Sequence, residues 1–593
     1  MLCSLNSPAL YMQAAFRAQN PCLFQDGKDC KRKTDAYIFD FDPARTLIIY
    51  EQFANDLSSV TAGGHGDGET RKKQIGELLN FFPVIGEDEE GELVELDAEK
   101  VLSIPRKIKS VEVVRRGFMS NFLFQNISAV FGAPKAVMEI IEKFQSAGDV
   151  QGLPAAANDA QERLSLDENG EVAIADEEIN GKAAELFGKK IYDTEEIVQE
   201  ASEDSFFSDL ADVADNLKKS VKENIVREVV ERAKEEYGDA MRPSDVRRLE
   251  SSLSAAAERK IDTVVANNEI ERKVIEEERE EALKARFETG RTVREINREF
   301  DKRQLQASEE HRKNIEAAIE EIVKSSEIET VRTVETRTRE RERDSIVDDI
   351  KDHLRGFART IPAFLMAYGD EKTTLKTFDT IISDGVFKEV TGISLEEFRF
   401  LRDGGSYEDA ESGEMKTFAG QLFDPVVFDD SVKEFMAKRT ALSDYFAEDQ
   451  DEDIFDYIPP QKTNQIFTPR KIVVRMVDLL EKENPGCFDN PDKTFIDLYM
   501  KSGMFITEIV KRLYRSGTMK RRFADRKERL RHIFEKQVYG LAPTEIIHRI
   551  AVNYILGFEK STFSLKHNFR QLDALEYVRS GDLKEKLNEV YEK

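Results

Sequence analysis

The stretch Lys493–Phe505, KTFIDLYMKSGMF, decides the fold of the carboxyl-terminal part of the chain. Its apolar first half, KTFIDLYM, is typical of a short buried strand, and Asp497 lies near the end of that strand. Gly503 permits a tight turn, after which Ile506–Tyr514 opens a helix. This order of elements brings backbone N–H groups and a positive helix end to a ligand at the carboxyl edge of a parallel sheet. The stretch therefore predicts a small-molecule pocket.

Strands and helices alternate on both sides of this stretch. The spacing predicts an amphipathic helix over Arg470–Glu483. A second strand is predicted over Gln537–Leu541, followed by a helix over Thr544–Leu556, and a third strand over Asn568–Leu572. The alternation indicates a doubly wound sheet, so the expected fold class is a multidomain α/β protein whose carboxyl-terminal domain is a partial Rossmann-like sheet.

This series resembles the adenine-specific DNA methyltransferases of restriction-modification systems. In that family a Phe-Thr-Pro element and an Asp-Pro-x-x-Gly-Ser-Gly-x-Phe turn hold S-adenosylmethionine. An acidic residue after the second strand holds the ribose, and an Asp after the third strand lies near the adenine of the cofactor. The resemblance covers residues 461–593. It implies that S-adenosylmethionine is bound by Phe467, Thr468, Pro469, Asp497, Ser502, Gly503, Phe505, Gly540 and Asp573.

The sequence departs from the family pattern at several positions. Leu498 replaces a Pro, Lys501 replaces the first Gly of the turn, and Ala542 stands where the family has the ribose-binding acid. Losing a charged acceptor of this kind costs about 1.5–3 kcal/mol, or roughly ten- to a hundredfold in affinity. No Asn-Pro-Pro-Tyr element, which grips the target adenine in the family, occurs in the sequence. We therefore expect no catalytic residue and no methyl transfer by this chain alone.

The amino-terminal sequence Tyr11–Gln19 resembles the last motif of superfamily 2 helicases, in the variant found in restriction-type DNA translocases. The resemblance implies that Gln13 and Arg17 face ATP phosphates across a cleft between two motor lobes. Asn20 stands in the place of the second Arg, and the sequence has neither a GxxxxGK[ST] phosphate loop nor a DEAD or DEAH box. ATP is thus expected only together with a motor sequence outside this chain. The alternative is a helix with an ordinary polar face.

The charge of the chain is distributed unevenly. The net charge is −28, yet residues 461–593 hold 26 Lys and Arg against 18 Asp and Glu, a net of +8 that leaves −36 for residues 1–460. A basic run in this part either follows a DNA backbone or forms a solvated helical face, and the pattern leaves both open. The predicted DNA-binding residues are Lys511, Arg512, Arg515, Lys520, Arg521, Arg522, Arg526 and Lys527.

Composition shifts along the 593 residues predict six segments. The first resembles the tail of a helicase lobe, includes a predicted strand over Ala36–Phe41, and looks cut from something larger. Residues 148–204 are predicted to be an acidic linker, and 205–355 a charged helical arm or loose bundle rather than a regular coiled coil. The predicted segments are 1–60, 61–147, 148–204, 205–355, the helical connector 356–446, and the methyltransferase-like domain 461–593.

The remaining composition places limits on the function. No stretch approaches the roughly 20 apolar residues of a membrane span, and no CxxC pair or HExxH spacing is present, so the sequence predicts a cytoplasmic protein without a metal site. The pattern indicates a component or fragment of a restriction-modification enzyme that binds DNA, other subunits or flanking polypeptide, and S-adenosylmethionine. The alternative is a non-catalytic helical scaffold with a vestigial methyltransferase fold.

Overall fold

The computed structural model folds into two compact units. The first combines Met1–Asp159 with Ile346–Lys593, and the second is Ala160–Ser345. Segments that are far apart in the sequence therefore share the first unit. The residues that the structure describes are 8–18, 23–26, 29–33, 38, 42–58, 61, 68–87, 92–131, 135–144, 164, 166, 171–188, 192, 194, 197, 210–238, 241–408, 413–447, 452–460, 467–558 and 565–591.

Helices make up most of the described chain, and several begin at a side chain that caps free N–H groups. Asp97, Ser394 and Asp525, for example, each accept a hydrogen bond from the first helical turn. The helices of the first unit are Pro8–Ala18, Pro43–Asp56, Gly68–Leu79, Ala98–Arg115, Lys135–Lys143, Ile361–Ala367, Asp384–Thr391, Leu395–Asp403, Pro425–Ala441, Arg470–Glu483, Met504–Arg515, Gly517–Arg522, Arg526–His532, Glu545–Ile555, Ala574–Ser580 and Leu583–Tyr591. Those of the second unit are Asp176–Phe187, Leu210–Val221, Arg227–Tyr237, Pro243–Lys284, Arg286–Thr289 and Val293–Ala358, which continues into the first.

In the part of the chain that the structure describes, the strands are short and form four small sheets. Three are antiparallel hairpins, which pair Leu23–Asp26 with Asp29–Arg32, Ile85–Glu87 with Leu93–Glu95, and Gly405–Glu408 with Met415–Phe418. The fourth sheet is parallel and consists of a first strand Phe495–Asp497, a central strand Val538–Ala542 and a third strand Asn568–Gln571. The predicted parallel α/β arrangement is thus present as three strands with intervening helices.

The core of the first unit is built from both of its chain segments. Arg71 and Asp424 form a buried ion pair, with 2.9 Å between Nη1 and Oδ2, and Arg71 also donates to Gln125. A cluster of phenylalanine rings continues this core, and Phe357 contacts Phe387, Phe398 and others at centroid distances of 5.2–6.1 Å. The predicted segments 61–147 and 356–446 therefore share one core, because their apolar faces pack against each other.

The connector also holds the parallel sheet in place. The Asn553 side chain donates to the carbonyl oxygens of Met366 and Ala367, at 2.9 and 3.0 Å. The hydroxyl of Tyr445 donates to the carbonyl of Ile555 at 3.0 Å. These bonds hold the helix that follows the central strand, Glu545–Ile555, against the connector. The connector therefore contributes to the stability of the parallel sheet.

The second unit is a set of long charged helices around an apolar core. Ile225, Val229 and Ile261 are buried in it, as the sequence pattern requires of the apolar positions in a helical bundle. Part of the predicted acidic linker also belongs to this core, because Ile179, Ala183 and Phe187 recur every four residues on Asp176–Phe187 and are buried. Residues 148–204 contain few apolar side chains, so their composition indicated a linker although the apolar residues of this helix lie on one side.

Two further predictions concern the amino-terminal segment and membranes. The stretch that resembles a helicase motif lies on the helix Pro8–Ala18, and the strand predicted over Ala36–Phe41 lies outside the described residues apart from Ile38. Across the described part of the chain, no helix combines the length and apolar character that a membrane span requires.

Candidate functional site

The carboxyl edge of the parallel sheet brings the predicted cofactor residues together. Asp497 pairs with Gly540 in the register of the first and central strands, and Ala542 pairs with Gln571 of the third. The segment Asp497–Phe505, which we call the corner, leaves the sheet at this edge and enters the helix Met504–Arg515. Parallel strands place their carboxyl ends at one edge, and that edge is where ligands bind in sheets of this type.

The turn of the corner depends on Gly503. This residue has φ of 84°, a left-handed conformation that suits glycine, and it directly precedes the helix. An added Cβ would lie 2.9 Å from Cγ1 of Ile555, so the position also lacks space for a side chain. Within the described residues, the backbone N–H groups of Lys501, Ser502 and Gly503 donate no hydrogen bond. These groups, together with the positive helix end, suit an anionic ligand group.

Asp497 is the acidic group of the corner. Its carboxylate accepts a hydrogen bond from the backbone N–H of Tyr499 at 3.0 Å. Burial raises the pKa of the Asp497 carboxyl, and the hydrogen bond from Tyr499 partly opposes this effect. A cation beside Asp497 would compensate its charge, so the corner offers N–H donors for an anionic group and a carboxylate for a cationic one.

Asp573 follows the third strand and lies close enough to the corner to act on it electrostatically. The pKa of the Tyr499 hydroxyl is raised, first by burial and then by the negative charge of Asp573. One carboxylate oxygen of Asp573 accepts from the N–H of Leu575 and caps the helix Ala574–Ser580. Asp573 therefore caps the helix Ala574–Ser580 and also acts on the Tyr499 hydroxyl through its charge.

The central strand approaches Met500 closely. A Cβ added at Gly540 would lie 2.7 Å from the sulfur of Met500, which is fully buried. The N–H of Met500 donates to the carbonyl of Leu541 at 2.7 Å, which ties the start of the turn to this strand. Ala542 is buried and offers no charged acceptor at the end of the strand. A ribose at this edge would have to be held by other residues.

The Phe-Thr-Pro element lies next to the start of the following helix. Phe467 packs against Phe455 at a centroid distance of 4.9 Å, and Phe455 in turn contacts Tyr554. Arg470 and Met504 line a common cavity of about 10 Å³, which has space for about one water molecule. Thr468 is half-buried and Pro469 is exposed. The element and the corner thus adjoin the same part of the domain.

The basic run divides into paired and exposed residues. Lys511 is buried and bonds to Glu508, while Arg512 is paired with Asp478, Glu481 and Glu508. Arg515 is exposed and donates to the carbonyl of Phe446. The other predicted DNA-binding residues are exposed on Gly517–Arg522 and Arg526–His532, and we call them the basic surface: Lys520, Arg521, Arg522, Arg526 and Lys527.

The helicase-like motif lies on the first helix. Tyr11, Met12 and Ala15 bury one side of Pro8–Ala18, and Gln13 and Arg17 lie four residues apart on the exposed side. The two side chains are therefore available to solvent on one face of the helix. This arrangement suits both the motif and the ordinary polar face that the sequence left open.

A groove in the second unit is lined by residues for which the sequence predicts no function. It has a volume of about 380 Å³ between Pro243–Lys284 and Val293–Ala358, and its lining includes Asn267, Asn268 and His311. His311 is buried, burial lowers its pKa, and its Nε2 has no hydrogen-bond partner within the described residues. The Asn-Asn pair, which interrupts the apolar spacing, was the available signal. These groups form a polar break in the helical core.

The third strand is expected to lose stability in acid. Burial and the charge of Arg570 lower the pKa of His567 to about 4, from its ordinary value of 6.5. The neutral ring accepts a hydrogen bond from the N–H of Phe569 and stacks on that side chain. Because the folded-state pKa is depressed, the stability it contributes is present above pH 6.5 and is lost as the pH falls towards 4. His567→Gln should flatten this decline in the thermal midpoint of unfolding, and an unchanged decline would contradict the assignment.

Comparison with known proteins identified no relative of this chain. The chain matches no protein-family model, and neither a curated protein nor a solved structure is significantly similar to it. The corner and the basic surface are therefore the features of the chain that indicate a function.

Proposed function

We propose that this chain is a DNA-binding and S-adenosylmethionine-binding component of a cytoplasmic restriction-modification enzyme. The main support for S-adenosylmethionine binding is the geometry of the corner, where Gly503 turns the chain at the carboxyl edge of a parallel sheet. Catalysis would require sequence elements that this chain does not contain, supplied by flanking polypeptide or another subunit. ATP would likewise involve Gln13 and Arg17 only together with a motor sequence.

The corner has complementary groups for the amino-acid part of S-adenosylmethionine. The unbonded N–H groups of Lys501, Ser502 and Gly503 would donate to its carboxylate. Asp497 would accept from its ammonium group, and this cation would offset the cost of keeping the Asp497 carboxylate charged while partly buried. Phe467 and Phe505, both half-buried, offer ring surface for the adenine.

Replacing Asp497 with Ala is expected to weaken S-adenosylmethionine binding. Removing one charged acceptor should lower the affinity about ten- to a hundredfold, as measured by isothermal titration calorimetry. Asp582→Ala is the matched control, because Asp582 is exposed in the same domain and away from the sheet edge in sequence. The absence of heat with the unaltered chain, or equal weakening by both variants, would contradict the cofactor assignment.

The basic surface supports the DNA-binding part of the proposal. Its side chains extend from two consecutive short helices, and among the described residues only Arg522 has an acidic partner, Asp492, at 3.6 Å. Contacts between these side chains and DNA phosphates would release counterions from the DNA, so the affinity for DNA should fall steeply as the salt concentration rises. The remaining acidic surface of the chain would keep DNA to this region.

Neutralising four residues of the basic surface should flatten the salt dependence of DNA binding. For Lys520, Arg521, Arg526 and Lys527 changed to Gln, the slope of log affinity against log salt should decrease by about three to four. A gel retardation assay across salt concentrations measures this slope. The control neutralises four exposed basic residues of the second unit, namely Arg294, Arg298, Lys302 and Lys313. Equal effects of the two sets would assign no special role to the basic surface.

A helical scaffold is the second candidate, and specific observations favour it. Met500 fills the space beside Gly540, and Ala542 provides no ribose acceptor. The second unit also contains the 42-residue helix Pro243–Lys284 and most of the 66-residue helix Val293–Ala358, which present long charged surfaces. Under this alternative the long helices are the functional surface, and titration with S-adenosylmethionine produces no heat.

A further inference from the structure

The groove between the two long helices of the second unit extends into a second cavity. Its lining residues recur at helical spacing from Lys260 to Glu271 on one helix and from His311 to Glu321 on the other. A smaller cavity of about 200 Å³ has Asn268 and His311 in common with it. We call the two cavities together the polar groove, and His311 lines both.

The polar groove interrupts an apolar core. Towards one end, Val265 and Ile315 belong to the main apolar cluster of the second unit, and towards the other, Ile275 and Phe300 belong to a smaller one. Polar groups buried between such clusters cost free energy unless they form hydrogen bonds. The polar side chains at this level of the helix pair therefore need partners from outside the protein, either water or a ligand.

The neutral polar side chains of the groove have no protein partner. His311 is 5% exposed, burial lowers its pKa so that the ring is neutral near pH 7, and its Nε2 makes no hydrogen bond within the described residues. The amides of Asn267, Asn268 and Asn314 likewise make none in the described part of the chain. Amides and a neutral imidazole each offer a donor and an acceptor. The groove thus presents adjacent donors and acceptors to a ligand.

The charged residues of the groove favour an uncharged ligand. Lys260 is paired with Glu321 at 2.6 Å. Arg272, which lines the smaller cavity, lies 3.8 Å from Glu276. Glu271 is exposed in the lining, and its carboxylate would repel a phosphate but can accept hydrogen bonds from hydroxyl groups.

The apolar part of the lining suits a flat ring. Val264, Ala317 and Ala318 provide aliphatic surface beside the amides. The larger cavity has a volume of about 380 Å³, within the range of about 300–1,000 Å³ that small-molecule sites occupy. Among flat ring systems, adenine matches an Asn side chain, which accepts from its exocyclic amine and donates to the adjacent ring nitrogen.

We propose that the polar groove binds the adenine base of an uncharged nucleoside. The amide of Asn268 would pair with the polar edge of the base, and His311 would supply a second hydrogen bond. Glu271 would accept from the ribose hydroxyls. This site belongs to the second unit, and it depends neither on the corner nor on the basic surface.

Adenosine binding to the full chain tests the proposal. Adenosine should give heat in isothermal titration calorimetry and slow hydrogen exchange at least about threefold in peptides covering 260–275 and 304–321. Inosine, which has a carbonyl in place of the exocyclic amine, should bind at least about tenfold more weakly. AMP should also bind more weakly than adenosine, because its phosphate adds negative charge near Glu271.

A double substitution removes the polar partners while keeping the fold. Asn268→Leu combined with His311→Leu should lower the affinity for adenosine at least about tenfold. Both leucines extend the apolar core, so the thermal midpoint of unfolding should not fall. Gln306→Leu is the matched control, because Gln306 is exposed on the same helix and lies outside the lining of both cavities. This variant should bind adenosine like the unaltered chain.

Several results would overturn the proposal. Unchanged exchange in 260–275 and 304–321 at saturating adenosine would leave the groove as a polar layer that fixes the pairing of the two helices. Equal affinity for inosine would exclude recognition of the adenine edge. Adenosine binding that the double substitution leaves unchanged would place the nucleoside elsewhere on the chain. Protection of 498–505 by S-adenosylmethionine is a separate result, so the two assignments can fail independently.

Discussion

Arg71→Met is expected to lower the free energy of unfolding of the first unit by about 3–5 kcal/mol. Arg71 and Asp424 are almost fully enclosed, with side-chain exposures of 3% and 11%. Removing the guanidinium would leave the carboxylate of Asp424 buried without its cation. Asp424 would keep its hydrogen bonds from the N–H groups of Val426 and Val427, which places the expected loss nearer the lower value. Urea denaturation of the full chain measures the change.

Lys72→Met is the matched control for this substitution. Lys72 neighbours Arg71 and is paired with Glu99 at 2.9 Å, but both side chains are exposed to solvent. A surface ion pair of this kind contributes at most about 1 kcal/mol. Equal losses from the two substitutions would show that Arg71 does not join the two chain segments of the first unit as the structure indicates.

Gly503→Ala is expected to destabilise the carboxyl-terminal domain by about 2–4 kcal/mol. Two costs add at this position. An Ala with φ of 84° is strained, and its Cβ would lie 2.9 Å from Ile555, which has to move. The change should also disturb the N–H groups of the corner, so S-adenosylmethionine binding should be lost along with stability.

Gly557→Ala separates these two costs. Gly557 has φ of 75°, close to that of Gly503, but an added Cβ meets no atom within 4 Å. Its substitution should therefore cost only the backbone strain, about 1–2 kcal/mol. Thermal unfolding of the unaltered chain, Gly503→Ala and Gly557→Ala measures the loss of stability in each variant. If Gly557→Ala is as damaging as Gly503→Ala, the close approach of Ile555 has no energetic consequence.

The carboxyl-terminal elements were predictable because their signals are local. The helix Arg470–Glu483 has the predicted bounds, since Pro469 precedes it and its buried Val473 and Val477 repeat with helical spacing. The three strands differ from their predicted ranges by at most three residues at either end, because pairing length depends on the neighbouring strand.

The contacts that decide the site were not predictable in the same way. The enclosure of Met500 against Gly540 and the pairing of Arg512 with Asp478 depend on elements that meet only after folding. The sequence likewise treated Lys511 as a surface cation, although it is buried beside Glu508. Charge runs show which residues are basic, whereas burial and ion pairing in the folded chain determine which of them reach solvent.

Hydrogen exchange with and without saturating S-adenosylmethionine shows whether the corner binds this cofactor. The free N–H groups of Lys501, Ser502 and Gly503 should exchange quickly in the unbound protein, because no described group holds them. We expect the cofactor to slow exchange in peptides covering 498–505 by at least about tenfold, with no change in Leu395–Asp403. Unchanged exchange in the corner at saturating S-adenosylmethionine, or protection confined to another part of the chain, would show that the corner does not hold the cofactor.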